Sequence, residues 1–487
     1  MPNQKPIFAV YDTTGIQSYI FSSNKLSENV GASRLVRRLF YDDEEQSAVR
    51  EGVLPSIVRE FGGNTDYAEK PGRAFSLDSP AEIIFYGGGN AYVAYRDQKT
   101  FQKVTERFLR KVYECTHSVG IAVAAVETEF GNTYQADYRR LNARLALAKG
   151  GLNRPVPAGN QAITRQSTRT GMPVVAFEKR DREGGEWLSR EQVLKREADE
   201  KRMEFDKLCG KEESFIAVVH ADGNNMGRDI SAFIADAETY ADAVPKMRGL
   251  SLAIDKAFAD ARRAANEMLA EKDVPYIELI TDGDDTTIVL PGKYAIAYAA
   301  ALLREIEKQP SPFGDASKLT ACAGVSIFHR HYPFSSAYMI AEDACASAKG
   351  PSRTETGSYI DFHLHQSGTV LDLSRLRERQ YTLDGEPLYA RPWKISGDAN
   401  DVPDFSWFET MQRDWKNKGS QEWPRSRLKG LRNALGAGVE AAKLYIEQCA
   451  SRGYVLPKDR GAASQNDDAY LRRYYDVLEL ADEYEEV

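Results

Sequence analysis

No stretch constrains the fold of this chain more than Tyr276 to Leu290, YIELITDGDDTTIVL. Two apolar half-strands, Tyr276 to Ile280 and Thr287 to Leu290, flank a tip of Asp282, Gly283, Asp284 and Asp285, the pattern of a β-hairpin whose turn needs glycine. A solvated turn draws on the same residue types. Three carboxylates in four positions nevertheless repel one another, and adjacent hard oxygen ligands suit Mg²⁺ or Mn²⁺.

A second segment supplies another carboxylate. Phe215 to Ala221, FIAVVHA, is a mostly apolar run of strand length that ends in Asp222-Gly223-Asn224-Asn225-Met226-Gly227 before a helix-like stretch. If that strand pairs beside the hairpin, Asp222 joins Asp284 and Asp285. Three carboxylates can then hold two divalent ions roughly 3.5 to 4 Å apart. Such a pair activates a hydroxyl and neutralises a leaving pyrophosphate, so the residues read as a phosphoryl-transfer site.

The rest of the chain places this hairpin in the second of two similar units. In the first, Ile7 to Tyr11 reads as a strand ending at Asp12. The segments Ile16 to Phe21 and Ser33 to Phe40 look helical, with Gly31-Ala32-Ser33 as a small-residue helix start. Small residues there serve equally for backbone approach to a phosphate or for close helix packing. A second hairpin, Ala81 to Tyr95, has the glycine tip Gly87-Gly88-Gly89-Asn90 in place of an acidic one. A helix, a strand (Gly120 to Val126) and a helix ending Ala148-Lys149-Gly150 follow. The same order returns after Phe215 and closes on Ala348-Lys349-Gly350. Tip and lysine are 62 positions apart from Gly87 to Lys149 and 67 from Asp282 to Lys349. This is a diverged duplication of a βαββαβ unit, the ferredoxin-like plan of polymerase palms and nucleotide cyclases.

The fold class expected is therefore α+β. Residues 1–160 form a first palm without metal chemistry, 161–212 a connector, 213–365 the catalytic palm, and 366–487 a mainly helical C-terminal domain. The segment 161–212 carries Arg165, Arg169, Lys179, Arg180 and Arg182 and then a charged helix-like stretch, Ser189 to Leu208; it reads as a domain connector or a groove lining, the solvated connector being the favoured reading. Tyr359 to Leu364 reads as an added edge strand. Ser426 to Cys449 has helical spacing, and Ala469 to Tyr484 a last, acidic helix with a solvated face.

A net charge of −8 argues against wholesale coating of nucleic acid and leaves room for a local basic groove. The five cysteines contain no CxxC, which points to a reducing compartment and away from a zinc motif. No signal-peptide pattern or membrane-length apolar run is present, so a cytoplasmic location is expected. The six histidines offer no His-Asp dipeptide and no H-E-x-x-H. His329/His331 and His363/His365 alternate along or after strands and read as core or surface residues.

These motifs together resemble the large polymerase-like (Cas-ten) subunit family of type III CRISPR effector complexes. The resemblance is carried by DTTGIQSYIF, NVGASRLV, GGGN, HADGNNMG, DGDD where the family typically has GGDD, and two helices ending in AKG; it runs from about Ile7 to His365. It implies two facing palms that bind two ATP molecules and condense them into cyclic oligoadenylate with two divalent ions. Carried over, Asp222, Asp284 and Asp285 are catalytic metal ligands, and Lys349 meets phosphates. Gly223, Asn224, Asn225, Asp282, Gly283 and Ser33 border the nucleotide, and Gly87, Gly88, Gly89 and Asn90 let the first palm admit the partner nucleotide. The form expected is one without the family's histidine-aspartate nuclease domain, since the first palm starts within about ten residues of Met1, and without its zinc site, since no cysteine lies between Cys115 and Cys209. The expected function is an Mg²⁺- or Mn²⁺-dependent nucleotidyltransferase making cyclic or linear oligonucleotides from ATP or other NTPs in antiviral defence. The alternatives are a structural subunit of an RNA-guided complex, with RNA or effector subunits as partners, and a single-nucleotide or dinucleotide cyclase.

Overall fold

Ile7–Thr14 is buried at seven of its eight positions, as a central strand covered on both faces must be. In the computed structural model, which describes residues 5–41, 43–45, 48–152, 163–179, 184–199, 204–205, 208–209, 214–314, 318–365, 372–396, 404–454 and 468–487, this strand (β1) organises the first palm. It is followed by α1 (Ile16–Ile20), α2 (Leu26–Arg37), a short ribbon of β2 (Asp43–Glu45) and β3 (Ala48–Arg50), and α3 (Val53–Glu60). The hairpin β4 (Ala81–Gly87) and β5 (Asn90–Tyr95), α4 (Gln98–Thr116), β6 (Gly120–Glu127) and α5 (Tyr134–Gly151) complete the unit. Its sheet runs β4-β5-β1-β6, all antiparallel.

The connecting segment forms the hairpin β7 (Val174–Glu178) and β8 (Glu186–Ser189) and a helix, α6 (Arg190–Ala198), that is shorter than the charged stretch suggested. The described part of its first half is largely exposed, but α6 is not solvated. Lys195 is buried, donates to the Tyr19 carbonyl (2.7 Å) and pairs with Glu191 (2.6 Å), while Arg196 pairs with Glu28 of α2 (2.6 Å). A Cβ on Gly31 would stand 1.7 Å from the Lys195 carbonyl oxygen, so α2 and α6 touch through bare backbone. Gly31-Ala32-Ser33 thus lies inside α2 rather than at a helix start, and close packing accounts for the glycine. Gly31→Ala is expected to cost about 1–3 kcal/mol of stability, read as a lowered melting temperature. Arg180 and Arg182 lie outside the described residues.

The second palm repeats the first strand for strand: β9 (Phe215–Gly223), α7 (Met226–Phe233), α8 (Tyr240–Glu271), the hairpin β10 (Ile277–Asp282) and β11 (Asp285–Pro291), α9 (Gly292–Lys308), β12 (Ala321–His329), α10 (Phe334–Ser352) and β13 (Tyr359–Leu364). The sheet order β10-β11-β9-β12 reproduces β4-β5-β1-β6. Helices cover both faces. Gly324 of β12 packs on α10, and Ile327, three positions on, meets Gly292 at the start of α9. β13 is not an edge strand: it pairs parallel with β12 and antiparallel with β16 (Trp393–Lys394).

Beyond β13 come α11 (Leu373–Gln380), the β14 (Thr382–Leu383) and β15 (Glu386–Pro387) ribbon, β16, and the helices α12 (Phe405–Glu422), α13 (Arg425–Gly436), α14 (Val439–Ala450) and α15 (Asp468–Glu479). The stretch read as one helix from Ser426 to Cys449 breaks at Gly438, whose φ of 116° a side chain would resist. The acidic last helix is not solvated throughout. Asp476 and Glu479 are buried and hold the buried Arg391, which also faces Asp361 of β13. That network ties the C-terminal part to the second palm. His363 and His365 lie in the core, as alternation along a covered strand implies. No helix among the described residues is long and apolar enough to cross a membrane.

Candidate active site between the two palms

Strand register brings the carboxylates together. β11 lies between β10 and β9, with Asp282 opposite Asp285 across the hairpin and Thr286 opposite Ala221. Gly283 takes φ 58° at the turn, a conformation glycine adopts without strain. Asp222 at the end of β9 therefore stands beside the tip, and Asp284 packs so tightly on Gly223 that a Cβ there would meet its Cβ and Oδ2 at 2.9 Å. Asp222, Asp284 and Asp285 line one cavity of about 440 Å³, within the range of small-molecule sites. Its opposite wall belongs to the first palm: Ile16, Gln17, Ile20, Val36 and Arg37 from α1 and α2, and Gly88 from the glycine tip. The two repeats face each other.

Burial pushes the Asp284 carboxyl up to about 6, with the charge of Asp222 adding to it. Burial, then Asp222 and Asp284, raise Asp285 well above the usual range. Such crowding is costly to the fold without a cation, and a cation is present in the chain itself. The Lys349 ammonium at the end of α10 docks on Asp222 Oδ2 and lies 3.3 Å from the Gly223 carbonyl. Burial alone would push that lysine down, and its bond to Asp222 carries it above the ordinary value instead. Lys349 therefore rests on a carboxylate rather than poised for phosphate. The first palm repeats the arrangement, with Lys149 2.8 Å from Asp12. Among the described residues no group of three acidic, histidine or cysteine side chains is disposed as a ready ligand set. The donors still suit a hard divalent cation: the oxygens are carboxylates, and Asp285 Oδ1 is closed to solvent with no hydrogen-bond donor.

The remaining expected residues divide. Ser33 lines the cavity but donates its hydroxyl to the Leu279 carbonyl. Asn224 is buried and turned away, its amide held by Thr320 and by the Gly357 carbonyl, each at 3.1 Å. Asn225 takes φ 58° as the residue before α7. Gly87 lies near Ser251, and Asn90 starts β5 opposite Gly87. Gly88 lines the cavity, but the Gly89 N–H donates to Asp282 Oδ2 at 2.9 Å. The two hairpin tips thus touch through Asp282, which also lines the cavity.

Sequence reading missed His220, Glu342, Arg37, Gln17 and Asp255. His220 alone left a signal, standing two positions before Asp222 on the same strand face. Burial pushes it down to about 4, so its ring is neutral. Asp255, on α8 behind the tips, is raised to about 7 by burial and next by Asp282. The folded chain then keeps a proton that the unfolded chain releases near pH 4. Asp255 costs nothing below that pH, costs more as pH climbs to about 7, and costs a constant amount above. Asp255→Asn should therefore stabilise at pH 8 by on the order of 2 kcal/mol, after discounting for solvent screening, and little at pH 4. Thermal melts at the two pH values check this; equal shifts would contradict it.

Residues 215–356 match the sequence family described as Cas10/Cmr2, second palm domain. No curated protein matches the chain. Among solved structures, the Csm1-Csm4 cassette in complex with cA4 aligns with a TM-score of 0.54 at 14% identity, over 98% of this chain and 69% of that one. The cassette in complex with one ATP gives 0.55 at 14%, over 99% and 70%, and Csm1 in T. onnurineus gives 0.55 at 14%, over 98% and 69%. At such identity the likeness speaks for the fold. By sequence, residues 215–356 are similar to the Cas10/Cmr2 second palm, and over nearly its whole length the chain has the fold of Csm1.

Proposed function

We propose that the protein is a divalent-metal-dependent nucleotidyltransferase that joins nucleoside triphosphates, ATP foremost, into a cyclic or linear oligonucleotide signal in type III CRISPR antiviral defence. The observation that carries this reading is the meeting of Asp222, Asp284 and Asp285 on one wall of a cavity closed by the first palm. The similar Csm1-Csm4 cassettes were solved with ATP, pppApA and cA4, which supports adenine nucleotides as substrates and an effector complex as the assembly.

Asp222, Asp284 and Asp285 would hold Mg²⁺ or Mn²⁺, which supplies activation of the attacking 3′-hydroxyl and neutralisation of the leaving pyrophosphate. The walls of α1 and α2 position the partner nucleotide, and Lys349, once off Asp222, offsets charge on the triphosphate. Incubation of the full chain with each NTP and Mn²⁺ tests the proposal. Pyrophosphate should be released, with ATP preferred, and product mass distinguishes a ring, a linear oligomer and a single-nucleotide cycle. No release with any NTP would overturn it.

A further inference from the structure

The His220 imidazole lies in the wall of the cavity, yet phosphoryl transfer by carboxylate-held cations gives it no task. It is buried, and its position is fixed. Its ring stands edge-on to Tyr338 with centroids 5.7 Å apart, and the register sets it opposite Thr287 on β11. Its Nδ1 is 3.1 Å from Thr287 Oγ1 and 3.4 Å from Asp285 Oδ1. That Asp285 oxygen is the one closed to solvent without a donor. A buried carboxylate oxygen in want of a proton donor thus has a ring nitrogen at the edge of hydrogen-bond range.

We infer that His220 is a positioning residue: its Nδ1–H donates to Asp285 Oδ1 and so presents the other oxygen of that carboxylate to a divalent cation. The inference rests on the function proposed above. The plain alternative is a core histidine whose only task is the bond to Thr287. The two differ in what they ask of the ring. A neutral imidazole has one N–H, and orienting Asp285 requires it on Nδ1; a bond to Thr287 is satisfied by either tautomer, because a hydroxyl both donates and accepts. Partners that orient a ligating side chain typically govern metal affinity by about 10- to 100-fold.

Mn²⁺ binding to the full chain without nucleotide, followed by the electron paramagnetic resonance of the free ion, tests the assignment. His220→Ala should weaken Mn²⁺ by about 10- to 100-fold. His220→Asn, whose amide N–H reaches the place of Nδ1, should restore affinity to near the unaltered value. His220→Gln, whose amide reaches the place of Nε2, should not. In turnover, the Mn²⁺ needed for half-maximal pyrophosphate release should rise with the dissociation constant, while kcat at saturating Mn²⁺ holds. Unchanged affinity in His220→Ala, equal loss in the Ala and Asn variants, or rescue by Gln in place of Asn would each overturn the role. An unaltered chain that bound no Mn²⁺ would overturn the proposed function with it, whereas an unaltered chain that binds and turns over beside an indifferent His220→Ala overturns this inference alone.

Discussion

Asp284→Ala combined with Asp285→Ala is expected to lower pyrophosphate release by at least about a thousandfold, since two of the three carboxylates proposed to hold the cations are lost. The same double variant should melt no lower than the unaltered chain. Asp284 and Asp285 are each raised by burial and by neighbouring carboxyls, so the fold bears a cost to keep them there. Removing the pair relieves that cost, and stability and activity should move in opposite directions. A coupled assay of pyrophosphate release beside a thermal melt reads both. Turnover within tenfold of the unaltered chain would place the chemistry elsewhere.

The hairpin was legible in sequence because its signals are local. Apolar half-strands, a glycine that must take positive φ and an acidic tip lie within fifteen residues, and the register places Asp282 opposite Asp285 as such a turn requires. The duplication was legible for the same reason. Each strand and helix of one copy announces itself separately, and the two sheets share one strand order. The site was readable only as far as strand ends could carry it, to Asp222 beside Asp284 and Asp285.

What the sequence hid is set by contacts between distant segments. Asp282 read as a nucleotide-facing carboxylate and does line the cavity, but that it also joins the two tips depends on the Gly89 N–H, 193 positions away. Asp255 sits in a long helix with nothing nearby in sequence to mark it, and only the packing of α8 behind the tips brings it to Asp282. The connector misled for a different reason. A run of charged residues is usually solvated, and here Lys195 is buried against Glu191 and the Tyr19 carbonyl of α1, while the half-buried Arg196 pairs with Glu28 of α2. In the last helix the same thing happens to Asp476 and Glu479 through Arg391. Charge in a sequence reveals a need for a partner and leaves open whether water or protein meets it.

Lys349 provides the second large effect, and it has two opposed parts. Its ammonium docks on Asp222, so a divalent cation held there, as proposed, would have to displace it. Lys349→Met removes that competitor. Mn²⁺ affinity without nucleotide should therefore rise, by about tenfold if the bond is worth what charge-assisted hydrogen bonds at half-exposed sites usually are. Turnover should fall all the same, by about a hundredfold, because the triphosphate loses a positive partner where negative charge develops on the leaving group. Tighter metal with slower chemistry is a combination that misfolding cannot produce, since a disordered site would lose both. Titration of Mn²⁺ against the free chain and pyrophosphate release at saturating Mn²⁺ measure the two parts separately. If Lys349→Met weakens the metal as well, the lysine supports the carboxylates rather than holding their place. Lys149 on Asp12 offers the internal control: the first palm has the same ion pair and no acidic tip, so Lys149→Met should leave Mn²⁺ affinity unchanged.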